Sequence, residues 1–191
     1  MRDRYLTGQL LVAAPALRDG NFDRTIVLML DHDADGALGV VLNRPTDTTV
    51  AEVLPNWYDR VGEPRVVFDG GPVAEGVAIG IARLRGPRPD GEAGEAGAGW
   101  SPVLGRVGVI DLGSDPDAAV DLDDLRVFSG YAGWSAGQLE GELALGAWFV
   151  VDGTDDDVMD PDPDRLWARV LRRQEGDLRM LALYPADPSL N

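Results

Sequence analysis

The sequence contains no cysteine, no lysine and a single histidine, His32. Without cysteine the chain has no thiol nucleophile, disulfide, iron–sulfur cluster or zinc–thiolate site. Without lysine it cannot form a Schiff base with a substrate or with pyridoxal phosphate, and it has no P-loop lysine. One histidine cannot supply a metal site built on two imidazoles. These absences exclude many enzyme classes, and we expect the protein to use neither a metal nor a cofactor.

Positive charge is scarce as well. All 17 basic residues are arginine and face 33 Asp and Glu, which gives a formal net charge of −16 over 191 residues. This charge repels phosphate backbones and anionic membranes, so direct nucleic-acid or membrane binding is not expected. No apolar run approaches the roughly 20 residues that span a bilayer, and the N-terminal segment lacks the layout of a signal peptide. The length suits a single domain, 1–191, and the cytoplasm is the expected location.

Apolar runs bounded by turn-forming residues predict more strands than helices. The predicted strands are 9–13, 26–30, 37–42, 66–68, 77–84, 107–112, 125–128, 148–151 and 180–184. A segment rich in Gly, Ala and Glu at about 85–101 is predicted to be a flexible loop. Because the strands do not alternate regularly with helices, the pattern favours an α+β fold with a mixed sheet.

Helix-end signals predict three helices, at 49–54, 135–146 and 162–176. In the second, Ser135 is the predicted N-cap and Gln138 completes a Ser-x-x-Gln capping box. In the third, Asp162 is the predicted N-cap and Pro163 occupies the first helical position.

A Gly-x-Ser-x-Gly motif at 133–137 matches the nucleophile elbow of α/β-hydrolases. In that fold the histidine base follows the serine in the chain, but no histidine follows Ser135. Helix capping explains Ser135 without catalysis. A hydrolase that uses Ser135 with His32, or His32 with a carboxylate or a metal, remains the alternative.

Two acidic segments resemble cation sites. Residues 31–36 (DHDADG) match the first half of an EF-hand loop, but the twelfth position is Leu42 instead of the bidentate Glu. Residues 155–157 (DDD) and the aspartates that follow lack both the glycine and the closing Glu. Both segments are predicted to be solvated, with a weak cation site in the second left open.

Two polar and aromatic motifs suggest a binding surface. Asn43 and Arg44 follow a buried strand, where an arginine can clamp a carboxylate or phosphate. Tyr131 and Trp134 flank glycines at a predicted strand-to-helix corner, where aromatic side chains can line a pocket. We expect these two motifs to lie near one surface. The candidate binding residues are Arg24, His32, Asn43, Arg44, Tyr131, Trp134 and Gln138.

Several longer motifs occur in an order that resembles the YqgE/AlgH family (DUF179). They are residues 8–15 (GQLLVAAP), 22–25 (FDRT), 36–45 (GALGVVLNRP), 70–73 (GGPV), 130–140 (GYAGWSAGQLE) and 187–191 (DPSLN). Residues 166–167 (LW) and 171–174 (LRRQ) are most similar to actinobacterial-type members.

The resemblance implies a bacterial cytosolic protein with a barrel-like, branched sheet flanked by helices, and it implies no established activity. One branch of the family has been described as a transcriptional regulator of alginate production, yet this sequence shows no helix-turn-helix or other DNA-reading element. Many proteobacterial members carry Arg and then His after the GGPV motif, where this chain has Ala74 and Glu75.

The sequence as a whole favours a non-catalytic binding or regulatory module that acts through a protein or small-molecule partner. No set of residues converges on a catalytic mechanism, whereas polar and aromatic residues gather in two motifs. A carboxylate- or metal-assisted hydrolase is the alternative.

Overall fold

A computed structural model describes residues 5–17, 19–87, 99–117 and 121–184, and within them ten strands form one branched sheet. The strands are β1 (Gln9–Ala13), β2 (Ile26–His32), β3 (Gly36–Val41), β4 (Pro45–Thr49), β5 (Val66–Asp69), β6 (Val73–Leu84), β7 (Trp100–Leu104), β8 (Val107–Ile110), β9 (Leu122–Ser135) and β10 (Trp148–Asp152). Their spatial order is β10-β1-β2-β3-β9-β6-β8-β7, with β5 beside β9 and β4 beside β5. The β5–β9 pair is parallel and the other strand pairs are antiparallel.

The sheet branches at β9, which pairs with β3, β5 and β6. Gly130 interrupts this strand with a φ of +70°. Phe128 and Tyr131 both pack in the largest core cluster, although residues on one face of a regular strand are an even number apart. The irregularity at Gly130 therefore brings Tyr131 back to the face that Phe128 occupies.

The two ends of the sheet approach each other and give it a barrel-like curvature. Gly8, just before β1, lies so close to β7 that a Cβ would be 2.5 Å from the carbonyl oxygen of Val103. A Cβ on Gly153, just after β10, would be 2.9 Å from the Leu104 side chain. Side chains near both ends, including Leu10, Val107 and Val151, share the largest core cluster.

Five short α-helices within the described residues cover the sheet: α1 (Val50–Val53), α2 (Gln138–Ala144), α3 (Asp155–Val158), α4 (Leu166–Arg172) and α5 (Asp177–Leu181). Leu166, Trp167 and Val170 of α4 pack in the largest core cluster. Leu139 of α2 packs in a separate cluster with Trp134 and Trp148. No helix in the parts of the chain that the structure describes is long and apolar enough to span a membrane.

The predicted α+β fold with a barrel-like, branched mixed sheet is confirmed, with several local corrections. The predicted strand at 180–184 is wrong, because α5 occupies Asp177–Leu181 and packs beside α4. The acidic residues 155–157, predicted to form a solvated loop, belong to α3. Residues 88–98 of the predicted flexible loop lie outside the described residues, while Trp100 and Ser101 at its end belong to β7.

Ser135 is not a helix N-cap. The β3–β9 ladder continues to the Gly36–Ser135 pair, so Ser135 ends a strand and α2 begins three residues later. Gln138 still reaches back, because its Oε1 accepts hydrogen bonds from the Ser135 backbone N–H (3.1 Å) and hydroxyl (3.2 Å). The third predicted helix is also shorter than expected: a 3₁₀ turn at Pro163–Arg165 leads into α4.

Candidate binding clefts around Arg44

Two neighbouring clefts share the side chain of Arg44. Cleft A has a volume of about 370 Å³ and is lined by Arg44, Asp69, Glu75 and Ser129 among others. Cleft B, of about 340 Å³, lies between the turn before β2, the end of β3 and helix α4. Its lining residues are Asp23, Arg24, Asn43, Arg44, Pro45, Asp164, Trp167 and Ala168.

Asn43 ties the turn before β2 to the end of β3. Its Nδ2 donates to the carbonyl of Arg24 (2.9 Å), and its Oδ1 accepts from the backbone N–H of Ile26 (2.9 Å). Arg24 has a φ of +54°, in the left-handed region that costs a non-glycine residue roughly 1–2 kcal/mol. Asn43 therefore holds Arg24 in an unfavourable backbone conformation that directs its side chain into cleft B.

The guanidinium of Arg24 lies over the indole of Trp167, with 4.6 Å between Cζ and the ring centroid. Its Nη2 donates to the carbonyl of Tyr184 at 2.6 Å. The indole is itself fixed, since Trp167 is 3% exposed and its Nε1 donates to the carbonyl of Ala13 (3.0 Å). This cation–π contact gives Arg24 a defined position at the wall of the cleft.

Arg44 is half-buried, and its Nη2 donates to the carbonyl of Asp23 (2.9 Å). Among the described residues, neither Arg44 nor Arg24 has a carboxylate within ion-pair distance, although Asp23 and Asp164 line the same cleft. Carbonyl oxygens and an indole face orient both guanidinium groups without neutralising them.

The floor of cleft A depends on close backbone packing. Gly71 has a φ of +139°, and a Cβ there would be 2.4 Å from the backbone carbon of Tyr131. The Ser129 hydroxyl donates to the carbonyl of Glu75, and Asp69 Oδ1 accepts from the Gly71 N–H (3.0 Å). Glycine is therefore required at position 71, where the turn after β5 crosses β9.

A third cleft, of about 570 Å³, has a different charge distribution. Here Arg173 makes a bidentate contact with the buried Asp157 (2.7 Å for both hydrogen bonds), and these bonds raise the pKa of Arg173. Arg83 lies 3.1 Å from Asp156. Nearby, burial lowers the pKa of Arg126 to about 10. The arginines that line this cleft are neutralised by carboxylates, in contrast to the pair in cleft B.

Trp134 and Gln138 lie in a separate group around Glu142 of α2. The Glu142 carboxylate accepts hydrogen bonds from the indole nitrogens of Trp134 (2.9 Å) and Trp148 (2.8 Å), and from Gln138 Nε2 (3.0 Å). The two indoles pack edge to face, and Phe22 packs against both. This arrangement satisfies both buried indole N–H groups and fastens α2 to the sheet.

His32 connects the N-terminal segment to α2. Its Nδ1 accepts from the backbone N–H of Leu6 (3.1 Å), and its Nε2 lies 3.2 Å from a carboxylate oxygen of Glu140. Its side chain is 2% exposed. Because Nδ1 acts as an acceptor, the ring is protonated at Nε2, which donates to Glu140. The Ser135 hydroxyl donates to Gln138, so neither member of the Ser–His pair hydrogen-bonds the other.

The seven candidate residues have three different local environments in the structure. Arg24, Asn43 and Arg44 meet at cleft B, whereas Tyr131 packs in the largest core cluster. His32 and Trp134 contact α2, and Gln138 is the first residue of that helix. Tyr131 and Trp134 pack in different clusters, and the expectation that the two motifs lie near one surface stays a prediction.

Sequence reasoning missed Trp167 as a site residue. Its spacing in the apolar stripe of α4 is typical of a core residue, and it is buried. The contact between the Trp167 ring and the Arg24 guanidinium arises only because α4 packs near the turn before β2 in the folded chain. Across the described ranges, no group of three or more histidine, aspartate and glutamate side chains is placed to hold a metal ion.

Comparisons with known proteins connect this fold and its motifs to one family. A family model described as AlgH-like matches residues 10–179. A UPF0301 protein of Streptomyces coelicolor is 55% identical over 188 residues, covering 97% of this chain and 95% of the relative. A UPF0301 protein of Mycobacterium ulcerans is 41% identical over 190 residues, covering 98% of this chain and 92% of the relative.

Two solved structures resemble the fold of this chain. A crystal structure of a protein from Corynebacterium diphtheriae matches with a TM-score of 0.85 at 29% identity, covering 95% of this chain and 94% of that one. The solution structure of the AlgH protein from Pseudomonas aeruginosa matches with a TM-score of 0.64 at 26% identity, covering 98% of each chain. The resemblance predicted from the motifs is confirmed: the chain belongs to the AlgH-like (DUF179, UPF0301) family and is of the actinobacterial type.

Proposed function

We propose that this protein is a non-catalytic binding module, a single cytoplasmic domain that holds a ligand in clefts A and B. The observation that carries the proposal is the position of Arg44, which lines both clefts and is oriented by a carbonyl oxygen instead of a carboxylate. Binding pockets typically combine a concave surface with a few fixed polar groups. The resemblance to AlgH-type regulators favours a regulatory role, exerted through a partner protein because the net charge of −16 opposes DNA.

The hydrolase alternative has less support. Acyl transfer by serine needs a base within hydrogen-bond reach of the hydroxyl. The hydroxyl of Ser135 and both ring nitrogens of His32 already have other partners, which are Gln138, Leu6 and Glu140. Neither residue lines cleft A or cleft B.

A ligand screen with two readouts tests the proposal. Purified protein is screened by thermal shift against a panel of cellular carboxylates, phosphates, amino acids, nucleotides and sugars. Each ligand that raises the melting temperature is then incubated with the protein and recovered for mass spectrometry. We expect stabilising ligands that are recovered unchanged and that lose their effect in Arg44→Gln. Turnover of a ligand, or stabilisation that is insensitive to Arg44→Gln, contradicts the proposal.

A further inference from the structure

We infer that cleft B binds a small oxyanion, a carboxylate or phosphate group, between Arg24 and Arg44. This inference rests on the proposed binding function and names its ligand class. The clefts alone accommodate many ligands, whereas two oriented guanidinium groups favour the planar or tetrahedral oxygens of an anion.

The chain is rich in carboxylates, yet none of those in the described residues lies within ion-pair distance of Arg24 or Arg44. The chain has 33 Asp and Glu for 17 arginines, so carboxylate partners are abundant. Arg83, Arg106 and Arg173 each form an ion pair with an aspartate. In the described residues Arg24 and Arg44 contact two carbonyl oxygens and an indole instead. These partners carry no net charge, so both positive charges remain available to a ligand.

Both side chains are oriented before any ligand arrives. Trp167 and the Tyr184 carbonyl hold Arg24, and the Asp23 carbonyl holds Arg44. A preorganised arginine loses less conformational entropy on binding than a free one. Each arginine is half-buried, and charge–charge attraction is stronger there than in bulk water.

The left-handed backbone at Arg24 is a second sign of function. An unfavourable backbone conformation persists where the surrounding structure holds it, and such positions cluster at ligand-binding sites. Here Asn43 fixes Arg24 through its carbonyl, and Arg44 follows Asn43 directly in the chain. One short segment therefore positions both cationic groups.

The size of the ligand follows from the remaining charges. Asp23 and Asp164 line the same cleft, and the whole chain carries −16. A polyanion such as nucleic acid meets repulsion over most of the surface, whereas a small anion experiences chiefly the local field of the two arginines. The expected ligand is a small molecule that binds through a carboxylate or phosphate group.

Isothermal titration calorimetry with two separate probes, inorganic phosphate and succinate, tests this inference. We expect at least one probe to bind the wild-type protein and its affinity to fall about tenfold or more, or about 1.4 kcal/mol, in Arg44→Gln. Arg172→Gln is the matched control, because Arg172 is an exposed arginine of α4 without a carboxylate partner among the described residues. It loses the same charge and is expected to leave the affinity unchanged.

Two further variants address Arg24. Arg24→Gln is expected to weaken binding as Arg44→Gln does, and Arg24→Lys, which keeps the charge, to weaken it less. The melting temperature of each variant shows whether it remains folded, and Arg44→Gln decides the question if Arg24→Gln unfolds. No binding of either probe, or an equal loss in Arg172→Gln, overturns the oxyanion inference. If the screen finds only neutral or cationic ligands whose stabilising effect is lost in Arg44→Gln, the oxyanion inference is overturned. The proposed binding function would remain supported by that result.

Discussion

At the scale of the residue, hydrogen bonds between a side chain and the backbone position the site. The Asn43 side chain binds the backbone of the turn before β2. Asn43 and Arg44 were predictable as binding candidates from their place at the end of a buried strand. The role of Asn43 was not, because its partners Arg24 and Ile26 are distant in sequence and meet it only when β3 folds beside the turn before β2. Arg24 was also a candidate, but its stacking on Trp167 depends on tertiary packing.

Asn43→Asp tests this positioning role. Aspartate keeps the size and the acceptor for the Ile26 N–H, but it loses the donor and sets a carboxylate oxygen against the Arg24 carbonyl. We expect the free energy of unfolding to fall by about 1–3 kcal/mol, measured by urea denaturation. Asn56→Asp is the control, since Asn56 is exposed and the change adds the same charge. A similar loss in both variants would mean that the added charge lowers stability, and not the loss of the hydrogen bond from Asn43 to the Arg24 carbonyl.

At the scale of the element, the helix in the acidic segment after β10 could not be predicted from the residue pattern. A run of three aspartates is typical of a solvated loop, yet residues 155–157 form α3. Thr154 and Asp157 cap each other at its start, and Arg173 of the chain beyond α4 binds the Asp157 carboxylate. The helices with regular apolar spacing were predictable, but α3 depends on an arginine that α4 brings to it.

Replacing Asp157 by alanine is expected to lower the free energy of unfolding by about 2–4 kcal/mol, because it removes the buried charged acceptor of two Arg173 hydrogen bonds together with a helix cap. The neighbouring Asp156 offers a matched control: its side chain is 93% exposed, although it also contacts an arginine. Asp156→Ala should cost about 1 kcal/mol or less. Chemical denaturation of both variants measures the difference, and equal effects would contradict the role assigned to Asp157.

At the scale of the whole molecule, the family motifs predicted the architecture better than the individual strands did. The hairpin of β2 and β3 follows from local turn residues, whereas the branching at β9 depends on the irregularity at Gly130 and on long-range pairing. Strands β4 and β7 were not predicted, because β4 is polar and β7 contains a proline. Closure of the sheet rests on close approaches at Gly8 and Gly153 that no local pattern reveals.

Gly8→Ala tests the closure. Gly8 has a φ of +81°, and its Cβ would lie against backbone, which cannot move away as a flexible side chain can. We expect a loss of more than about 1 kcal/mol in the free energy of unfolding. In Gly20→Ala the added Cβ meets nothing within 4 Å, so stability should change by about 0.5 kcal/mol or less. Equal tolerance of both substitutions, read from thermal melts, would show that the ends of the sheet are not held together at Gly8.

The binding site at Arg44 is tested most directly by an NMR titration of the ¹⁵N-labelled protein with inorganic phosphate and, separately, succinate. If an anion binds in cleft B, the Nε–Hε signals of Arg24 and Arg44 and the backbone amides near Asp23 and Asn43 shift together and saturate with one dissociation constant. The signals of Ser135, and of the His32 ring at constant pH, should stay in place. Shifts that are scattered over the surface, or that centre on Ser135 and His32, would contradict a binding site at Arg44.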